Sequence, residues 1–112
     1  MAYDEQLAER VRAVIAGEPD LTETRMFGGL AFLLGGHMTV AVSGQGGLMV
    51  RVDPADTDTL VESEGITPME MRGRAMKGWL QVMPEAVATD DALAPWVARG
   101  VAFVRTLPPK GS

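Results

Sequence analysis

His37 is the single imidazole of this 112-residue chain, and no cysteine accompanies it. A side-chain nucleophile needs a base within hydrogen-bond reach, and the usual base is histidine. His37 follows Gly35-Gly36 at a predicted turn tip, where a relay histidine would be poorly held. Ser43 and Ser63 lack the glycine-flanked elbow that exposes a nucleophilic serine. The carboxylates Asp56 and Asp58, and the pair Asp90-Asp91, fall at predicted helix starts, where they complement the helix dipole. That is a structural role. Gly44-Gln45-Gly46-Gly47 has no Lys-Ser/Thr after it and leads into a strand, so it reads as a hairpin turn and not a phosphate loop. The missing thiol removes disulfides, cysteine-ligated zinc and iron–sulfur clusters together. Met69, Met71, Met76 and Met83 surround one predicted hairpin, and clustered thioethers can hold Cu(I). Methionine is equally a gap-filler in cores, and no cysteine or second histidine stands beside these four. The chain is expected to be no enzyme, with no catalytic residue, metal or cofactor.

What remains is binding, and three groups of residues could carry it. Arg25-Met26-Phe27-Gly28-Gly29 places a cation and an aromatic before a double glycine, which can bend a strand or admit another backbone closely. An arginine beside two glycine amides could also hold a phosphate or carboxylate. The structural alternative is a strand corner whose arginine pairs with Glu23 or Glu70. The second group is apolar: Leu33, Met49 and Trp79 fall on strand faces opposite the most apolar ones. The third is the basic cluster Arg72, Arg74 and Lys77 next to Trp79, which could meet an anion or nucleic acid or simply be a solvated turn.

The elements that must position these residues follow from periodicity. Residues 4–16 form a helix, with Asp4 as cap, Leu7, Ala8, Val11, Val14 and Ile15 at helical spacing, and Gly17 and Pro19 closing it. Between 24 and 52 the period becomes alternating. Leu30–Leu34 is apolar on both faces, Met38, Val40 and Val42 alternate with Thr39, Ala41 and Ser43, and Leu48, Val50 and Val52 oppose Met49 and Arg51. Glycine pairs punctuate the runs, as tight antiparallel turns require. This is a meander of three or four strands. Asp53-Pro54 opens a second helix running to about Ser63. Residues 69–72 and 76–83 form a second hairpin turning at Gly73-Arg74, with Leu80 and Val82 opposing Lys77, Trp79, Gln81 and Met83. Pro84 ends it. A last helix covers 91–107, with Leu93, Trp96, Val97, Gly100, Val101, Val104 and Leu107 on one stripe, Pro95 near its first turn and Pro108-Pro109 beyond its end.

The order α-β(3-4)-α-β(2)-α is that of an α+β fold with an antiparallel sheet, in a single domain spanning 1–112. Gly111-Ser112 reads either as native tail or as cloning remnant. One sheet face is expected to pack on the first and last helices. The other then presents Leu33, Met49 and Trp79 among polar neighbours, or is covered by the middle helix. An apolar patch rimmed by charge on a small domain marks an association surface.

Charge narrows the partners. The formal net charge is −5, and it is unevenly spread: residues 53–70 sum to −6 and 71–83 to +3. An acidic chain argues against direct nucleic-acid binding, which needs clustered Lys and Arg to release counterions. The N-terminus is acidic where a secretory leader would be basic, and no apolar run is long enough to cross a bilayer. A cytoplasmic location without membrane attachment is expected.

Three stretches together resemble a known family. They are Arg25-Met26-Phe27-Gly28-Gly29 after a short helix, Met69-Glu70-Met71 through Met76-Lys77-Gly78-Trp79, and a final helix ending at Leu107-Pro108-Pro109. This pattern resembles the TfoX/Sxy N-terminal domain over almost the whole chain. The resemblance implies an α+β fold of the secretion-chaperone-like type. It also implies a link to regulators of natural competence that act with a cyclic-AMP-responsive transcription factor. Full-length members add a C-terminal helical domain similar to nucleic-acid-binding modules, and the expectation here is the N-terminal domain alone. The family motif brings no catalytic role to Arg25 or Gly28. The leading expectation is a non-enzymatic regulatory domain acting through a protein partner, a second copy of itself included. The alternatives are a nucleic-acid-associated regulator using Arg72, Arg74 and Lys77, and a binder of small anions at the Arg25–Gly29 corner.

Overall fold

The stretch from Leu21 to Arg51 forms a four-strand meander whose last two strands alternate apolar with more polar residues over much of their length. It comprises β1 (Leu21–Met26), β2 (Gly29–Leu34), β3 (His37–Val42) and β4 (Leu48–Arg51). The computed structural model describes residues 4–26, 28–44, 46–62, 65–71 and 73–107; for Met26, Glu70, Met71 and residues 74–77 it describes the backbone path alone. Ahead of the meander lies helix α1 (Glu5–Ile15), whose cap Asp4 accepts the amides of Gln6 and Leu7. After it come a 3₁₀ turn (Pro54–Asp56), a one-turn helix α2 (Thr57–Leu60), and strands β5 (Ile66–Met71) and β6 (Arg74–Val82). A second 3₁₀ turn (Pro84–Val87) then leads into helix α3 (Asp90–Val104). The six strands form one antiparallel sheet in the order β1-β2-β3-β4-β6-β5. The α+β class read from the sequence is the one observed. No helix among the described residues is long and apolar enough to cross a membrane.

The register assigns the two faces. Leu30, Val42, Leu48, Val82 and Ile66 form one row across the sheet, and Phe32, Val40, Val50 and Leu80 the next. These side chains are buried and share one core with Leu7, Val11 and Ile15 of α1 and Leu93, Val97 and Val104 of α3. Both long helices therefore cover the same face. Ala31, Ala41, Met49, Gln81 and Thr67 form a row of the opposite face.

Four expectations are corrected. The meander begins at Leu21 and not at 24; alternation does not mark this strand, because its core-face positions Glu23 and Arg25 are charged residues at the sheet edge. The second helix does not run from Asp53 to Ser63. Asp53 does cap it, accepting the Ala55 amide at 2.9 Å, but the first turn is 3₁₀ and the α-helical part is four residues; Ser63 lies outside the described residues. The strict alternation read for 38–43 is broken, since the β2–β3 register shifts between Phe32 and Leu33. Thr39 becomes the extra residue of a bulge, so it is buried while Met38 pairs with Leu33. Finally, Val14 sits at helical spacing yet is 40% exposed. The buried stripe of α1 is Leu7, Ala8, Val11 and Ile15.

Candidate functional site

At the β1–β2 corner Met26 pairs with Gly29, with Gly28 in the turn before it. Gly28 has φ of +76° and open space around its Cα, so it supplies the backbone turn. Gly29 does something different. A Cβ there would lie 2.3 Å from the Val42 carbonyl oxygen, so this glycine lets β2 start hard against the end of β3. The Gly35 amide donates to the Asp20 carbonyl at 3.2 Å. Hydrogen-bonded pairs alternate along an antiparallel ladder, which makes Thr22, Thr24 and Met26 the residues bonded to β2. The Gly29 amide is thus part of the ladder, and Phe27 and the side chain of Met26 lie outside the described residues.

Arg25 is exposed and lies on the helix-covered side of the edge strand, two positions from Glu23. Glu23 is not its partner. Arg12 of α1 reaches down with a two-pronged contact, Nε to Oε2 at 2.8 Å and Nη2 to Oε1 at 2.7 Å, and also pairs with Glu9. That hydrogen bonding holds the Glu23 carboxyl below its usual range despite some desolvation, and it raises the Arg12 guanidinium further above its own. Arg25 has no ion pair among the described residues.

The open face carries the apolar candidates. Leu33 pairs with Met38, Ala31 with Ala41, and Ala41 with Met49, so these residues adjoin across β2, β3 and β4. Ala31 and Ala41 are buried, while Leu33, Met38, Met49 and Trp79 are half-buried. Among the described residues the large hydrophobics that stand exposed are Val14 and Met83, so the face is less open than the alternation alone suggested. The middle helix is not its lid: Leu60 and Val61 pack against the core cluster on the other side.

Trp79 is held by a contact that strand patterns could not announce. Arg51 pairs with Trp79 across β4 and β6, and its Cζ lies 5.6 Å from the Trp79 ring centre and 5.5 Å from that of Phe103 on α3. Each is a cation–π distance. The guanidinium thus ties the end of the sheet to the last turn of α3.

Of the basic cluster, Arg72 lies outside the described residues, and so do the side chains of Arg74 and Lys77. Three of the carboxylates weighed for catalysis take structural places. Asp90 pairs with Arg10 of α1 at 2.8 Å. Asp56 and Asp58 sit in the first turns of the short helices. His37 opens β3 opposite Leu34.

No curated protein and no solved structure matches the chain. The TfoX N-terminal domain matches it over residues 13–104, from inside α1 to the last residue of α3. That span holds the whole sheet, the Arg25–Gly29 corner and the Arg51–Trp79–Phe103 contact, and the chain belongs to the TfoX N-terminal domain family.

Proposed function

We propose that the chain is a non-enzymatic regulatory domain that works by associating with protein, in the manner expected of a TfoX/Sxy N-terminal domain. The observation that carries this reading is the division of the sheet. Both long helices pack on one face, and the other presents Leu33, Met38 and Met49 around the small residues Ala31 and Ala41. Side chains of this kind, adjoining and half-buried, give a partner apolar area that needs little desolvation of charge. Methionine adapts to the shape it meets.

The test is capture of partners from the native organism with the wild type and with Met49→Lys, after circular dichroism and thermal melting confirm that the variant folds. A protein retained by the wild type and lost with Met49→Lys is expected. Identical retention by both would overturn the open face as the docking surface.

A further inference from the structure

Strand β1 is one outer edge of the sheet, with β5 the other. The Asp20–Gly35 hydrogen bond fixes which backbone groups of β1 point away from β2. By alternation they belong to Leu21, Glu23 and Arg25. An edge with unpaired N–H and C=O groups is a template for another strand, and natural proteins commonly block it with charge. Two of these three outward residues, Glu23 and Arg25, carry opposite charges, on the same face and two positions apart.

Opposite charges two apart make the edge self-complementary in one register. In an antiparallel pairing of two copies, outward residues must meet outward residues. Centring on Glu23 would set Glu23 against Glu23, and centring on Arg25 would set Arg25 against Arg25. Like charges directly opposite are destabilising, whereas opposite charges and Thr–Thr pairs stabilise. Centring on Thr24 gives both favourable kinds at once.

We propose that the β1 edge pairs with the β1 edge of a second copy of this chain, antiparallel and centred on Thr24, so that Arg25 of each copy stands opposite Glu23 of the other. Each Glu23–Arg25 pair then exchanges both of its backbone hydrogen bonds, and Thr24 meets its own counterpart at the two-fold axis. The axis runs through the sheet, so the helices of both copies lie on one side and the open faces join on the other. Arg25, without an ion pair among the described residues, gains one. Glu23, already ionised and held by Arg12, is pre-oriented to receive it. This deepens the association reading by naming one partner as the chain itself.

Sedimentation velocity over the micromolar to millimolar range tests it with the intact chain. A monomer–dimer equilibrium is expected for the wild type, with a dissociation constant raised about tenfold in Arg25→Glu, which sets carboxylates against each other in that register. The absence of cysteine allows an independent readout. A Thr24→Cys variant places two thiols at a non-hydrogen-bonded pair, where Cα atoms come within disulfide range. Oxidation is expected to cross-link it rapidly, while Thr67→Cys on the far edge strand stays uncross-linked.

A chain that is monomeric throughout overturns the proposal, as does a dimer unaffected by Arg25→Glu or a Thr24→Cys cross-link no faster than that of Thr67→Cys. A foreign strand captured at β1 by a monomeric chain counts with the first of these. None of these outcomes touches the loss of a different protein by Met49→Lys, so the two readings fail separately.

Discussion

The hydroxyl of Thr57 accepts the backbone N–H of Gly78 at 3.0 Å, joining the middle helix to the centre of β6 in a buried site. Gly78 has φ of +90° and faces the Pro54 ring, with a Cβ position 3.2 Å from its Cγ. The Gly78 carbonyl in turn accepts from Val52 at 2.8 Å. The short helix is thus a clamp on a bent strand, and its buried hydroxyl is the acceptor that the bend leaves necessary.

Removing that acceptor tests the clamp. Thr57→Val keeps the shape and leaves the Gly78 amide without a partner, at an expected cost of about 1–3 kcal/mol in urea unfolding. Thr57→Ser retains the hydroxyl, so a loss as large as that of Thr57→Val would refute the hydrogen bond as the cause.

The two glycines of the β1–β2 corner are expected to respond differently to alanine. Gly28→Ala meets open space and pays only for its positive φ, about 1 kcal/mol. Gly29→Ala drives a methyl into the Val42 carbonyl and should cost about 3 kcal/mol. Thermal unfolding of the two variants side by side decides it; equal losses would contradict the steric account.

Gly100 is where α3 crosses the β3 bulge. A Cβ there would stand 3.0 Å from the Thr39 carbonyl oxygen and 3.3 Å from a Val40 methyl. Gly100→Val is expected to lose about 2–3 kcal/mol by overpacking. Gly100→Ala should lose less, since alanine's helix preference of about 1 kcal/mol offsets part of the strain.

The Arg12–Glu23 pair makes a pH-dependent contribution whose sign follows from the lowered carboxyl. A depressed folded-state value means the stabilisation is fully present above the ordinary carboxylate range and lost as pH falls through the folded value. Glu23→Gln is therefore expected to melt below the wild type at neutral pH, and the gap should close in acid. A gap that persists when the carboxyl is fully protonated would show that another interaction is responsible.

Much of this architecture was readable from spacing because its causes are local. Leu48, Val50 and Val52 alternate, and all three are buried. Asp4 and Asp53 cap where a short acceptor before a helix should. The β3 bulge was not readable, because whether Thr39 or Met38 turns inward depends on the close approach of Gly100 from α3. The same holds for the candidate site. The Arg25–Gly29 corner and the open face could be found from motif and alternation. The capture of Glu23 by Arg12 rather than Arg25 depends on how α1 lies across β1, and Arg51 meets Phe103 only through the placement of α3. Both pairings join residues of different elements, so the periodicity within one helix or strand does not announce them.

Strand order has a consequence for how the polypeptide assembles as it is synthesised. Each of β2, β3 and β4 bonds to the strand made just before it, so these hairpins can close in order with little loop entropy to overcome. Helix α1 precedes these hairpins in the chain, yet part of its packing is against α3, which follows the whole sheet. The α1 stripe can settle on the strands early, but the seam between the two helices is completed only once Val104 has been made, so it is the last part of the core to close.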